Sequence, residues 1–276
     1  MTQLSTIGEA AIDVLKTARP GEKTRLGREY AAMWSGGRLR HEFPLSPPAR
    51  PARPDRPELL APRYMPRRRN IGRKGNMVAL LHAIAHIEFN AVDLAWDIVA
   101  RFGRDMPQEF TDDWVKVAGE EARHFAMIDR QLKSYDAAYG DLPAHDGLWQ
   151  SAMDTAHDLK ARLAIVPLVL EARGLDVTPA MITRAEKADD PATTECLKII
   201  YHEEIRHVHA GQKWFCHLCA LEDIEPERTY QGLVRQYFKG RIKPPFNKSA
   251  RALAGFDEGF YLPLAPPGPA GIKNST

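Results

Sequence analysis

The sequence predicts an all-α fold, a four-helix core carrying a helical, proline-rich arm at the N-terminus and an extended tail at the C-terminus. Three observations predict it. Apolar residues recur at three- and four-residue spacings along four long segments between Met77 and Leu221. Period-two alternation, the mark of a half-buried strand, is almost absent. Prolines crowd outside the periodic stretch, with eight of the 21 falling between Pro44 and Pro66. A chain of 276 residues is long enough for one such core with extensions at both ends.

In chain order, residues 5–18 (Ile7, Ala11, Val14, Leu15) and 23–35 (Leu26, Tyr30, Met33) have helical spacing and predict two short helices. The segment from Pro44 to Pro66 excludes regular structure, because proline fixes φ and lacks a donor, and it is read as a connector or wrapping arm. A basic run, Arg67, Arg68, Arg69, Arg73 and Lys74, follows it. Met77, Leu80, Leu81, Ile84, Ile87, Ala91, Leu94, Ala95 and Ile98 predict a first core helix over 76–102. Thr111 followed by Asp112 and Asp113 offers a cap and dipole-favouring acids for a second over 112–138. After a loop, a third is expected over 148–173, kinked at Pro167, with a short helix after Pro179. Asp190-Pro191 supplies cap and first-turn proline for a fourth over 191–221. Pro226 opens a short helix to about residue 239, and the proline-rich tail is expected to be extended. The expected divisions are 1–75, 76–223 and 224–276.

Composition narrows the function classes. The longest apolar run, Leu163 to Leu170, falls short of the roughly 20 residues a bilayer span needs, so no membrane role is expected. Three cysteines argue against a disulfide scaffold and, with no apolar leader at the N-terminus, point to the cytoplasm. Residues 1–75 hold 16 Lys and Arg against 7 Asp and Glu, residues 76–240 hold 17 against 27, and the tail holds 5 against 2. An acidic middle between basic flanks suits cations inside and an anionic partner at the flanks, or basic arms that lie on an acidic core.

The chemistry is carried by a repeat. Glu120-Glu121-Ala122-Arg123-His124 and Glu203-Glu204-Ile205-Arg206-His207 are nearly identical and stand 83 residues apart. On a helix, Glu and His three apart share a face, so Glu121 with His124 and Glu204 with His207 can each reach one cation. About 0.65 Glu-x-x-His pairs are expected from this composition by chance, so two alone are weak. However, Glu88 and Glu171 each stand 33 residues ahead of their motif inside apolar helical segments, and each has an aspartate five residues on, Asp93 and Asp176. The midpoints fall near Arg104 and Ala188, in turns, so folding each half as an antiparallel hairpin brings its two carboxylates to one height. Four helices then aim four carboxylates and two imidazoles at one point.

This donor set resembles the di-iron or di-manganese carboxylate site of the ferritin-like superfamily, over residues 76–221. More narrowly, His86 to Asp97, Glu171 to Asp176 and Lys243-Pro244-Pro245-Phe246-Asn247 are similar to an uncharacterised bacterial ferritin-like family of unknown function. The resemblance implies two iron ions, with manganese the alternative, bridged by Glu121 and Glu204. It also implies Glu88 and Glu171 as terminal ligands, and one histidine, His124 or His207, per metal. It implies a crossover through Leu142 to Asp146; spacing alone equally permits an up-down bundle. Hard oxygen and imidazole donors without thiolate fit iron or manganese.

The remaining residues are read more plainly. Glu120 with Arg123 and Glu203 with Arg206 are expected to pair locally along their helices. Asp93 and Asp176 either hydrogen-bond the outer nitrogen of a ligand histidine or serve as ordinary caps and pairs. His82, His86, His202 and His209 are expected to be packed or surface residues, and Trp96, Phe125, Trp214 and Phe215 core. Cys216 and Cys219 form a CxxC, either a redox pair or helix packing.

The leading functional expectation is a di-iron oxidoreductase that uses dioxygen or peroxide on a small organic substrate and takes electrons from an external donor. Its rivals are an iron-handling or peroxide-scavenging protein, a structural metal module, and a tRNA-modifying hydroxylase. Nucleic acid is not favoured, because no RNA-stacking motif is evident. A monomer or small homo-oligomer is expected. Arg241 and Lys243 are expected at the rim of the entrance to the metal site, where they attract an anionic substrate, or else the tail only braces the helices.

Overall fold

The computed structural model describes residues 4–65 and 72–266. The helical periodicity becomes an all-α bundle, and among the described residues there is no strand beyond two isolated bridges. Helices α1 (Ile7–Lys16) and α2 (Pro20–Ser35) precede the core. Its four limbs are α3 (Gly72–Phe102), α4 (Gln108–Ser134), α7 (Ala172–Lys187) and α8 (Pro191–Leu221). Between α4 and α7 come α5 (Gly147–Asp154), α6 (Leu159–Ile165) and a π-helical turn, Val166–Glu171. The described residues close with α9 (Pro226–Tyr237), α10 (Lys248–Leu253), α11 (Glu258–Tyr261) and a 3-10 turn, Leu262–Leu264.

Helix α3 packs along α4, α4 along α8 and α8 along α7. Residue pairs such as Asp113 with Lys213 and Glu120 with His207 show that α4 and α8 run antiparallel. Close approaches of Gly211 to Pro167, and of Asn247 to both Leu175 and Tyr201, set α7 antiparallel to α8. Helices α4 and α7 are therefore parallel, and the connection carrying α5 crosses the length of the bundle. By length and composition the stretch Lys74–Asp105 could span a membrane, but 78% of its most apolar window is buried among other helices, as a core helix is.

Four expectations need correction. Helix α4 starts at Gln108, after an extended Pro107, so Thr111 lies inside it, fully buried. Asp112 and Asp113 do not cap it but accept the indole N–H groups of Trp34 and Trp214, each at 2.8 Å. It ends at Ser134, earlier than expected, where Asp136 takes a left-handed φ of 58°.

The third limb is not one helix over 148–173 but α5, α6, the π turn and α7. Pro167, which cannot donate, sits in the π turn. Helix α7 runs straight through Pro179 rather than restarting there, because Asn247 from the tail donates its side-chain amide to the Leu175 carbonyl at 3.1 Å, replacing the bond proline cannot make. The tail is not wholly extended: Asn247 caps α10 through Ala250 N–H at 3.2 Å, and Phe256, Phe260 and Tyr261 pack on or beside Tyr230.

Among its described residues the proline-rich arm carries only a three-residue 3-10 turn, Pro62–Tyr64, and it runs beside α3 in the opposite sense. Arg101 reaches the Pro48 carbonyl at 3.0 Å, Lys23 that of Ala52 at 3.0 Å, and Leu59 bridges Ala144. The basic run Arg67–Arg69 lies outside the described residues, while Lys74 is exposed and pairs with Asp136 at 2.8 Å.

Candidate metal centre

Helical phase delivers the donors. Glu121 and His124 project from one face of α4, Glu204 and His207 from one face of α8, and Glu88 reaches in from α3. Glu171 closes the π turn. The turn lies close against α8 at Gly211, where a Cβ would lie 2.5 Å from the Pro167 ring.

Glu121 sits centrally, its oxygens 3.4 Å from His124 Nδ1 and 2.8 Å from His207 Nδ1. Glu88 approaches His124 Nδ1 at 3.2 Å, and Glu204 lies 3.8 Å from His207 Nδ1. One donor atom each of Glu88, Glu121, His124 and Glu204 falls within 4.8 Å of all the others, and all four residues are buried. The imidazoles lie 5.7 Å apart at 30°.

Their polar atoms are conspicuously short of partners. Glu88 Oε2, both oxygens of Glu121, Glu171 Oε2, Glu204 Oε2 and the Nδ1 atoms of both histidines are buried with no aligned hydrogen bond. Leaving several carboxylate oxygens so is costly unless a cation takes them, and the cluster of Glu88, Glu121, His124 and Glu204, with His207 Nδ1 beside Glu121, fits a metal centre, while Glu171 lies outside that cluster on the wall of the adjoining cavity.

The histidines are already set for it. His124 Nε2 donates to Glu203 at 2.7 Å, and His207 Nε2 donates to Glu120 at 2.8 Å. A carboxylate only accepts, so a proton sits on Nε2, which leaves Nδ1 as the nitrogen that faces the cluster and that a cation would take once its proton is lost. Arg206 pairs with Glu120 at 2.8 Å and with Glu203 at 3.3 Å, and Arg123 pairs with Glu203. The carboxylate behind each histidine thus belongs to the opposite helix. The expected local pairing survives only between Glu203 and Arg206, and the role of Glu120 and Glu203 behind the histidines is one the sequence reading missed. The signal was present: both glutamates of each Glu-Glu, not one, recur in the repeat.

Electrostatics agree with the geometry. Burial, then the Glu121 charge, pushes Glu88 up to about 7, and the same causes push Glu171 up to about 8. Glu204 is raised well above the carboxylate range by burial and Glu121. Burial also works against ionised Glu121, but His207 and His124 overturn it and hold Glu121 low. Burial disfavours both imidazolium forms, yet the surrounding carboxylates raise both histidines well above their ordinary value. A cation bound by these groups would displace the protons they hold.

Asp93 and Asp176 do not touch the histidines. Asp93 is buried against Lys23, with Arg53 at 3.3 Å, and Asp176 is gripped by Arg251 at 2.8 Å, with Asn247 N–H at 2.9 Å. They anchor the N-terminal arm and the C-terminal tail to corresponding places on the two hairpins.

Other residues fall mostly as expected. His86 is packed between the Tyr139 hydroxyl and the His145 carbonyl, and His82 accepts from Gly140 N–H at 3.0 Å. Cys216 and Cys219 are free thiols raised by burial. Arg241 and Lys243 are exposed and line a cavity beside the site rather than the cluster itself.

Comparison with known proteins agrees on family. An uncharacterized protein of Haemophilus influenzae is 40% identical over 255 residues, covering 88% of each chain. No solved structure matches. A family model described as protein of unknown function, DUF455, matches residues 16–262, and the chain belongs to that family.

Proposed function

We propose that this protein is a ferritin-like di-metal carboxylate oxidoreductase that uses dioxygen or peroxide to oxidise a small organic molecule. The observation that carries the reading is the buried, unpartnered donor cluster of Glu88, Glu121, His124 and Glu204, with His207 Nδ1 beside Glu121 and unpartnered Glu171 on the wall of the adjoining cavity. Four carboxylates and two neutral imidazoles without a thiolate suit two divalent irons, with manganese the alternative. Such a pair supplies two-electron chemistry toward dioxygen, with an external donor returning the electrons.

The chain's own part is positional. Glu121 lies between the histidines and, with Glu204, would serve both ions, with Glu88 and Glu171 as terminal ligands. Glu120 and Glu203 hold the imidazole tautomers. The oxidoreductase reading is favoured over iron handling by an apolar cavity of about 150 Å³ whose lining includes Glu88, Glu171 and Glu204, a place for an organic molecule beside the donors.

The test is elemental analysis of protein expressed in iron-replete medium. Two metal ions per chain are expected, falling toward none in Glu121→Ala and Glu204→Ala. One ion or none in the parent protein, unchanged in both variants, refutes the reading. Gel filtration is expected to show a monomer or small oligomer; a hollow shell filled with mineral would favour storage.

A further inference from the structure

Three of the four seams of the bundle are closed by helix packing, and the fourth, between α3 and α7, is not. The cavity beside the donors lies in that seam, walled by apolar side chains such as Ile84, Ile87, Leu170 and Met181. Ile87 is 48% exposed although the next residue, Glu88, is buried, so an apolar side chain marks the way from solvent to the cluster.

A second cavity, of about 180 Å³, adjoins the first, sharing Ile87, Leu148, Leu170 and Arg173 with it. Its far side is the C-terminal tail, held there by Arg173, which donates to the carbonyls of Lys243 at 2.9 Å and Pro245 at 3.0 Å. Arg251 is neutralised by Asp176. Arg241 and Lys243, however, have no carboxylate partner among the described residues. Two uncompensated cations thus stand at the outer end of an apolar passage whose inner end is ringed by carboxylates.

Resting on the metal-site reading for its chemistry, we infer that the substrate is an amphiphilic organic anion, bound with its apolar body in the α3–α7 seam and its anionic group at Arg241 and Lys243. The carboxylates at the inner end repel an anionic group, and Arg173, the cation shared by both cavities, is already engaged by Asp176 and by the Lys243 and Pro245 carbonyls, whereas the two outer cations are free to attract it. A cavity of about 150 Å³ is the size that holds a benzene-like group in other proteins, so the body is a ring or a chain of about six to eight carbons.

The test is calorimetric titration of the full-length protein with octanoate, octyl phosphate, 1-octanol and octylammonium. Saturable one-to-one binding of at least one anion is expected, and the tighter of the two identifies carboxylate or phosphate ester. The alcohol should bind at least about tenfold more weakly, and the ammonium not at all. Arg241→Gln with Lys243→Gln, both exposed, should remove the preference for the anion while leaving the alcohol unchanged.

Gly174→Leu provides an independent arm, because Gly174 lines the inner cavity and a Cβ there meets nothing within 4 Å. It should abolish binding of anion and alcohol alike. Metal content is measured on every variant, so loss of the two ions would count against the metal centre and not against the seam. Equal binding of octanoate and 1-octanol, unchanged anion affinity in the double variant, or competition by tRNA that displaces octanoate would overturn the inference.

Discussion

Gly211→Ala tests how tightly the π turn that carries Glu171 is braced. The added Cβ would lie 2.5 Å from both Cβ and Cγ of Pro167, against an ordinary carbon–carbon contact of roughly 3.5–4.0 Å. A proline ring cannot rotate away, so α8 and the turn must part by about 1 Å, an overpacking that costs about 1–3 kcal/mol. Alanine in place of glycine within a helix gains about 1 kcal/mol. Gly232→Ala on α9 isolates that gain, because its Cβ meets nothing within 4 Å. Gly211→Ala should therefore be less stable than Gly232→Ala by about 1–3 kcal/mol. At about 2 °C per kcal/mol for a chain of this size, that is a Tm separation of about 2–6 °C. Thermal melts of the two variants side by side, followed by metal analysis, provide the assay, with weaker retention of metal expected only in Gly211→Ala. Equal melting temperatures would refute the argument that this approach positions Glu171.

Glu203→Ala and Glu120→Ala should each weaken metal binding by about 10–100-fold in chelator competition, the first at the His124 side and the second at the His207 side; no change in either would remove their role behind the histidines. Lys23→Met strands buried Asp93 with Arg53 alone and should cost about 3 kcal/mol in denaturant unfolding, a loss that Asp93→Leu in the same chain should largely restore. Burial tends to raise Asp190, but hydrogen bonds from Thr193 and Tyr135 outweigh it and hold it below 3.8. Its depressed folded value means that its contribution is complete above the unfolded value and is lost as pH falls through the folded one. Asp190→Ala should therefore be about 1 kcal/mol less stable at pH 7, with the gap narrowing below about pH 4; a gap constant with pH would exclude the linkage.

Three of the four core helices, and the donors that cluster, Glu88, Glu121, His124 and Glu204, were legible because their information is local or periodic. Apolar spacing gives the limbs, and two motifs with a common 33-residue lead give the matching heights. What escaped is long-range. Glu120 and Glu203 each had an arginine three residues on, so a partner on the same helix concealed the histidine across the seam. Asp93 meets Lys23 and Asp176 meets Arg251 over separations of 70 and 75 residues, which no spacing rule reports. Pro179 signals a helix break by every local criterion, and only the amide of Asn247 on the Leu175 carbonyl lets α7 continue.

The exchange of carboxylates between α4 and α8 means that neither hairpin completes its own histidine. Taken alone, each half would present an imidazole with nothing behind it, and two halves meet as the isologous faces of a dimer do, related by an approximate two-fold axis passing between the helices. The symmetry holds for the carboxylates behind the histidines and for the aspartates that grip the two arms, but not within the cluster: Glu121 lies beside both histidines and Glu204 beside His207 alone, and Glu88 sits in regular helix, Glu171 at the end of a π turn. The wide turn, and what packs against it, is thus a structural source of functional inequivalence between the two halves of the cluster.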